Sequence, residues 1–540
     1  MDNNRTSNDY NYQDTEDSLN GLVAKENCGA GFSILSRIKP EYRYAAIITF
    51  MIGLLIHAFK FLNYLPNHDS MYNFYSNQNV LASGRWLLSI ACGFSSYFDL
   101  PWINGIISIF WISISTAFIV SLFEIRNKIT IFVLGALFVS FPSVTEIFFF
   151  EFTADGYMLS LLLSVIGVYV LRFGNKSIKY YLISVLCMCM SCGIYQAYLS
   201  VSLALGIAYI VFCLLKKDSI KLKSFWLWLL KFALCSVCAL IMYYTIWKIC
   251  MAVQGVTPTS YQGINAVGLS GIDNVFFGIK NSIQSLFLFF FEWNIFERGI
   301  SLYGLLNIFI LLSLLFTILL SIHKSRLYKN KGKLLLLILC IAVTPFIVTV
   351  WSFASPNVDY AGRMLHSVVI IFALPIILSE FFITRKIANT IVCVLLIVVF
   401  NFAVSANIAY YYLGMEYENT YSEAIEIRNE IEVAKQRYGE DEKVMIVGNR
   451  TDRVALDENG PAGRIHLFSS QIEKSLFLDS THVTEFMKNV LYYDTEFTRD
   501  KDLLNNVMNN DKFRDMPCWP KTGSIDEVEN TIVVKLSDKE

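Results

Sequence analysis

Long apolar segments alternate with short polar ones along most of this chain, and that alternation restricts the possible folds more than any other feature. Of the 540 residues, 55% are hydrophobic and 16% are charged, whereas soluble domains average about 25% charged residues. A hydrocarbon core about 30 Å thick requires about 20 apolar residues per helix. We therefore predict an all-α polytopic membrane protein with about eleven transmembrane helices. They lie near residues 44–62, 103–123, 129–146, 156–172, 178–193, 195–215, 225–251, 301–322, 333–351, 366–383 and 387–407.

The distribution of Lys and Arg over the loops predicts the orientation, because cytoplasmic loops carry an excess of these residues. With the N-terminus inside, the inner segments from residue 37 onward, with the adjoining span ends, contain 19 Lys and Arg residues, and the outer segments before the C-terminal portion contain 5. We predict a cytoplasmic tail over residues 1–43 and outer loops over 63–102, 147–155, 252–300 and 352–365. The net charge of -1 gives no indication of a nucleic-acid partner.

The last part of the sequence changes character. Residues 416–438 interleave charged and apolar residues at helical spacing, and 444–448 and 530–536 are typical of strands. We predict a transmembrane domain over 44–412 and a small α/β appendage over 413–540 on the outer side. The appendage contains no Gly-rich phosphate loop and no nucleophile elbow.

Carboxylates near the predicted outer surface are candidates for a functional site. Asp69 follows the first span by seven residues, and Asp155 stands at the entrance of the fourth span after Glu146 and Glu151. A carboxylate near the hydrocarbon edge is unfavourable unless it is compensated, and commonly marks a pathway or a site. A helix N-cap is the alternative role for both Asp69 and Asp155.

Arginines of the outer loops form the second group of candidates. Arg85, Arg298 and Arg363 are nearly the only cations predicted on that side, and a guanidinium suits a phosphate in bidentate geometry. The alternative role of each is a headgroup anchor. We expect Trp86 at the headgroup level, where amphipathic rings settle. Acids and arginines at one membrane face, without a nucleotide motif, suit an enzyme with a lipid-phosphate substrate.

Three motifs resemble the bacterial serotype-converting O-antigen glucosyltransferases, a family of polytopic, GT-C-like membrane glycosyltransferases. The motifs are Asp69-Ser70 after the first span, Gly84-Arg85-Trp86, and the stretch from Pro142-Ser143 to Gly156-Tyr157. The resemblance covers about residues 45–405. It implies transfer of glucose from undecaprenyl-phosphate glucose to a cell-surface polysaccharide such as the O-antigen, on the outer side of the bacterial inner membrane. The implied partners are a polyprenyl-phosphate glucosyl synthase and a flippase that supply the donor.

The resemblance also assigns roles to the candidates. An acid in the first outer loop acts as base in enzymes of this kind, and Asp69 matches that position. Asp155 is a second catalytic candidate. A base takes the proton of the acceptor hydroxyl, and a guanidinium stabilises the departing lipid phosphate. The predicted substrate-binding residues are Arg85, Arg363, Glu151, Glu146, Arg298 and Trp86.

No cofactor is predicted, and a divalent cation is the alternative to arginine at the phosphate, because the outer acids offer oxygen ligands. Residues 148–150 and 286–291 are candidate walls for the polyprenyl tail, or plain packing surface.

The main rival function is a transporter or flippase for lipid-linked sugars. That function predicts inverted repeats and ionisable residues near mid-membrane. The acids here cluster at one surface and no repeat is visible, which favours an enzyme. An assembly protein whose outer domain binds glycan is a third possibility, and it predicts that Asp69 is replaceable.

Overall fold

The structure is a computed structural model, and it describes residues 38–93, 98–174, 177–216, 221–260, 273–291, 302–354, 358, 360–450 and 475–538. Most of the predicted N-terminal tail and Arg298 lie outside the described residues, and so does much of the predicted outer loop 252–300.

Helices make up most of the described residues. Ten of them are long and apolar enough to cross a membrane, and the predicted fifth span corresponds to the shorter apolar helix Ile178–Ile194. The prediction of an all-α multi-pass membrane protein is therefore confirmed. The helices are α1 Pro40–Leu62, α2 His68–Tyr72, α3 Leu88–Ala91, α4 Pro101–Leu122, α5 Lys128–Ser140, α6 Pro142–Phe149, α7 Glu151–Leu171, α8 Ile178–Ile194, α9 Leu199–Lys216, α10 Leu222–Gln254, α11 Asp273–Phe291, α12 Leu302–Lys324, α13 Lys331–Val348, α14 Val369–Phe382, α15 Arg385–Tyr438, α16 Ser480–Asn489, α17 Lys501–Asn509 and α18 Asp511–Asp515.

Two interruptions shape the turn between α5 and α7. Phe141 precedes Pro142 and has extended backbone, with φ −59° and ψ 137°, because a proline ring disfavours helical geometry in the residue before it. Pro142 then begins α6, where its missing N–H removes no helical hydrogen bond. The chain turns again at Phe150, with φ −106° and ψ 59°. Glu146 therefore lies in α6 and Glu151 begins α7, on either side of one tight turn.

The most buried helices of the bundle are α5, α9 and α14. α4 packs against α1 and α7, and α1 also packs against α5. The apolar stretch within Lys128–Phe149 is 94% buried, compared with 28% for α10 and α13. Gly135 of α5 permits the close approach to α1, because a Cβ atom there would collide with the Thr49 hydroxyl. The central helices thus pack on protein, whereas the outer ones present apolar side chains to the membrane.

The last long helix, α15, has 54 residues and measures about 80 Å at 1.5 Å per residue. A hydrocarbon core is only about 30 Å thick, so α15 extends well beyond the bundle. The predicted helix over 416–438 is the second half of α15, and the predicted boundary at 412/413 lies inside this helix. We call the part of α15 from residue 413, with the residues after it, the C-terminal region.

The C-terminal region contains a three-stranded sheet with the order β1-β3-β2. Strand β1 is Val444–Val447, β2 is Ile525–Val528 and β3 is Thr531–Lys535. β3 pairs in parallel with β1 and antiparallel with β2. Both predicted strands are confirmed, but β2 was missed because two of its four residues are acids, which are depleted in strands.

The first outer loop is less helical than predicted. Sequence analysis suggests two short interfacial helices, over residues 71–82 and 86–94. The structure instead has α2, a 3-10 turn over Leu81–Ser83 and α3, because Tyr75 and Gln78 adopt positive φ angles that interrupt a helix. Residues 286–291, predicted as a short apolar dip, form the end of the longer helix α11.

Candidate active site

Polar and charged side chains converge at one end of the bundle, where α1 ends, α7 begins and the first outer loop packs. They form three groups of neighbouring side chains. The first group is Lys60, Asp99 and Glu151, which we call the Lys60 cluster. The second pairs Glu146 with Arg363. The third places Arg85 against two tyrosines.

The Lys60 cluster contains a fully buried ion pair. Lys60 Nζ lies 2.8 Å from Glu151 Oε2, and each side chain is 1% exposed. Lys60 also donates a hydrogen bond to the Leu65 carbonyl at 2.7 Å. Lys60 is in the last turn of α1 and Glu151 is the first residue of α7, so each charge sits at the helix end whose dipole stabilises it. The two helix ends therefore offset part of the unfavourable free energy of burying this ion pair.

Asp99 completes the Lys60 cluster from the first outer loop. Its Oδ2 accepts a hydrogen bond from Ser70 Oγ at 3.3 Å, and no described residue donates to its buried Oδ1. Burial raises the pKa of the Asp99 carboxyl, and the charge of Lys60 and the Ser70 hydrogen bond only partly offset this. One lysine thus compensates two buried carboxyl groups. Sequence analysis did not assign Asp99 a role; the signal available was its place directly before the proline that begins α4.

The second group joins α6 to the segment before α14. Arg363 Nη1 lies 3.1 Å from Glu146 Oε1, with exposures of 15% and 1%. The guanidinium carbon also lies 4.3 Å from the centre of the Phe150 ring. A hydrogen bond of 2.7 Å between Ser143 Oγ and His366 Nδ1 fastens the same two segments together. Glu146 and Arg363, both predicted from sequence, are therefore direct partners.

The third group surrounds Arg85. Its Nη1 donates to the Tyr157 hydroxyl at 3.0 Å, and its guanidinium carbon lies 5.1 Å from the centre of the Tyr195 ring. Tyr157 and Tyr195 stack with their centres 4.2 Å apart. The preceding residue, Gly84, has a φ of 83°, and a Cβ atom there would collide with Gln196 and Tyr243. Glycine is therefore required at this turn, which delivers the guanidinium to the aromatic pair.

Trp86 follows Arg85 but does not lie at an open surface. The side chain is partly buried, and its ring occupies the space that a side chain at Gly193 would need. Leu87 N donates to the Gly193 carbonyl at 2.9 Å, so this segment is fixed to the end of α8. The structure thus shows that the Trp86 ring packs against the end of α8, and its depth in the membrane stays a prediction.

Asp69 and Asp155 occupy different surroundings. Asp69 is the second residue of α2 and is 44% exposed, with its Oδ1 3.5 Å from His68 Nε2. The N-cap of α2 is Asn67, which forms a capping box with Ser70, so the predicted alternative role of Asp69 as a cap is wrong. Asp155 is 3% exposed, and its Oδ1 accepts from Gly156 N at 2.9 Å. It lies in the second turn of α7, so it does not cap that helix either.

The acidic candidates therefore differ in burial and in their partners. The buried acids Glu146 and Glu151 each pair with a cation, whereas Asp69 has the most exposed carboxylate of the five acids. Within the described ranges, no three His, Cys, Asp or Glu side chains come together in a way that could hold a metal ion. Arg298 lies outside the described residues.

The comparison with protein families gives a match over the part of the chain that carries these groups. Residues 58–402 match the model of a family described as glucosyl transferase GtrII. All three groups, Asp69 and Asp155 lie inside this segment, and the C-terminal region lies outside it. No curated protein and no solved structure matches the chain.

Proposed function

Since the chain belongs to the glucosyl transferase GtrII family, we propose that it transfers a hexose, glucose, from a polyprenyl-phosphate donor to a cell-surface polysaccharide such as the O-antigen. The observation that carries the proposal is the convergence of Arg85, Arg363 and several carboxyl groups at one end of an apolar bundle. A lipid-phosphate sugar requires both features, because its tail partitions into the bilayer while its phosphate and sugar stay at the surface.

The arginines suit the phosphate of the donor. Arg363 is partly exposed beside Glu146, and Arg85 lies against Tyr157 and Tyr195. As the glycosidic bond to the donor breaks, negative charge develops on the departing phosphate, and a positioned guanidinium stabilises that charge. Glu146 and the aromatic rings hold the guanidinium groups before the substrate binds, so little reorganisation accompanies the reaction.

Asp69 suits the role of general base. Its carboxylate is exposed on the outer loop, where a polysaccharide arriving from water has access. The acceptor hydroxyl oxygen forms a bond to the anomeric carbon while the bond from that carbon to the phosphate oxygen breaks. The hydroxyl proton passes to Asp69, and polyprenyl phosphate leaves with the electron pair. Asp155, Glu151 and Trp86 then act as supports of the site from inside the protein.

Purified protein in liposomes containing polyprenyl-phosphate glucose tests this assignment. We expect Asp69→Asn to reduce transfer to the polysaccharide by about 10²- to 10⁴-fold, the usual contribution of a general base. Asp511→Asn is the matched control, because Asp511 is 95% exposed in the C-terminal region. Full activity of Asp69→Asn together with an inactive Asp99→Asn would contradict the role of Asp69 and transfer it to Asp99.

We also propose an orientation of the chain in the membrane. The excess of Lys and Arg on alternate loops supports a cytoplasmic N-terminus, an outer C-terminus and a site on the extracytoplasmic face of the bacterial inner membrane. With the native cysteines replaced, a membrane-impermeant thiol reagent should label Asp69→Cys in intact cells and Arg326→Cys only after the membrane is opened. The opposite pattern would overturn the orientation.

A donor used outside but made inside has to be supplied across the membrane, so we also propose that a polyprenyl-phosphate glucosyl synthase and a flippase act before this enzyme. Movement of labelled donor between leaflets without any glycosidic product would instead identify the chain as a transporter.

A further inference from the structure

The C-terminal region shares a hydrophobic core with the first outer loop. Met71 of α2 is 1% exposed and belongs to the same buried cluster as Ile427 of α15 and Val483 and Phe486 of α16. Phe74 packs against that cluster from the turn after α2. A loop that contributes a side chain to another unit's core is held there by burial of apolar surface.

A polar contact fixes the same junction. Tyr72 Oη donates a hydrogen bond to Asp479 Oδ2 at 2.8 Å. Asp479 is the N-cap of α16, and its Oδ1 accepts from His482 N at 2.9 Å. The Tyr72 and His482 rings meet edge to face with their centres 4.1 Å apart. Desolvation raises the pKa of Asp479, but the hydrogen bonds from His482 and Tyr72 outweigh it and hold the pKa below its ordinary value.

The other side of α2 faces the candidate active site. Ser70 donates to Asp99 of the Lys60 cluster, and Asp69 is the residue between Ser70 and the buried His68. One turn of helix therefore carries the proposed base, a contact to the buried acids and two contacts to the C-terminal region. A displacement of α2 would move all of them together.

α2 has only five residues, whereas isolated helices shorter than about 12 residues are marginal in water. Its capping box is local, so its position depends on what packs around it. We infer that the C-terminal region is a positioning element for the active site, in which Tyr72, Asp479 and His482 hold α2 so that Asp69 faces the substrate and Ser70 keeps its hydrogen bond to Asp99. This inference rests on the proposed function. It assigns a task to a region that the family match does not cover.

Tyr72→Phe and Asp479→Asn test the junction with minimal changes. Phenylalanine removes only the hydroxyl, and asparagine retains N-cap ability while losing the second carboxylate oxygen. We expect each variant to lower kcat by about ten- to hundredfold, as displacement of a catalytic group does, with KM for the donor unchanged. The double variant should be no slower than the slower single variant, because both changes break one contact.

The matched controls are Tyr492→Phe and Asp511→Asn in the same region, where the two side chains are 81% and 95% exposed. Both controls should keep the wild-type kcat. A wild-type kcat in Tyr72→Phe and Asp479→Asn would overturn the inference, and so would a rise in donor KM at constant kcat.

Hydrogen exchange separates this inference from the proposed function. In Tyr72→Phe, amides of residues 68–73 should exchange faster while α1 and α4 keep their protection. Unchanged exchange of residues 68–73 would overturn the positioning role, whatever the activity. If the wild-type protein transferred no hexose, the proposed function would fail while the exchange experiment would still decide whether the C-terminal region holds α2.

Discussion

Two ion pairs of nearly equal length lie in opposite surroundings in this protein. Lys60 Nζ is 2.8 Å from Glu151 Oε2 and both side chains are 1% exposed. Lys443 Nζ is 2.7 Å from Glu496 Oε1 in the C-terminal region, with exposures of 53% and 65%. Water and salt screen the exposed pair and leave the buried pair almost unscreened. The N–O distance therefore does not show which pair interacts more strongly, whereas the degree of burial does.

The buried pair also has consequences that the exposed pair lacks. Removing one partner of a buried pair leaves an uncompensated charge in a medium of low polarity, and Lys60 faces Asp99 as well as Glu151. Apolar residues would often stabilise such a site equally well.

The largest effect is expected from Lys60→Met, because it leaves both Glu151 and Asp99 without their cation. Breaking a buried pair costs about 3–5 kcal/mol. The measurement is thermal unfolding in detergent, in which the loss of monodisperse protein is monitored as the temperature rises. An unfolding temperature equal to that of the wild type would show that the Lys60 cluster does not behave as a buried pair.

Glu151→Gln sharpens the same comparison. Lys60 keeps Asp99 nearby and keeps its hydrogen bond to the Leu65 carbonyl, so Glu151→Gln should destabilise the protein less than Lys60→Met does. The unfolding temperatures of the two variants decide this. If Glu151→Gln lowers the unfolding temperature more than Lys60→Met does, Asp99 contributes little to compensating the charge of Lys60.

A smaller effect is expected from Arg363→Lys, since the charge beside Glu146 is retained. The variant loses the guanidinium over the Phe150 ring and the planar fork, which together are worth about 1–2 kcal/mol. Thermal unfolding should show a modest decrease, and transfer should fall further than stability because a lysine cannot bind phosphate in bidentate geometry. Equal transfer by Arg363→Lys and the wild-type protein would exclude a phosphate contact that needs the fork.

The sequence predicts the membrane spans well because span length and apolarity are set by the bilayer. It also predicts polar residues that gather at one end of the bundle, and Glu146 and Arg363 prove to be partners. It misses Asp99, whose burial depends on Ser70 and Lys60 approaching from separate segments. It places the cap of α2 at Asp69 instead of Asn67, because both residue types suit an N-cap and only the fold decides between them.

The contact between the first outer loop and the C-terminal region is beyond the reach of sequence patterns. Tyr72 and Asp479 are separated by 407 positions, and neither lies in a motif. Periodicity describes α15 and the strands β1 and β3 separately, but not that their core includes Met71. Such long-range pairs follow from packing of whole elements and require the three-dimensional structure.

The pH dependence of stability tests the buried side of the comparison through Asp99. Its folded pKa lies above the ordinary value of 3.8 because of burial. The folded state therefore holds the proton more tightly, and the stability that this group contributes is present below pH 3.8 and decreases as the pH rises through its folded pKa. The Asp99→Asn variant has no such carboxyl group. The unfolding temperature of the variant minus that of the wild type should therefore increase as the pH is raised from about 4. A constant difference between the two proteins across that range would contradict the raised pKa.

The smallest effect is expected from Lys443→Met, which applies the Lys60 substitution to the exposed pair. Glu496 then remains in water, where its charge needs no partner. We expect no resolvable change in the unfolding temperature or in transfer activity, although the broken ion pair is the shorter of the two. The two Lys→Met variants carry the same substitution at ion pairs of nearly equal length. Measured in parallel, they therefore show the effect of burial alone on stability. A destabilisation of Lys443→Met comparable to that of Lys60→Met would mean that the C-terminal region relies on its surface charges, and the contrast between the two regions would have to be abandoned.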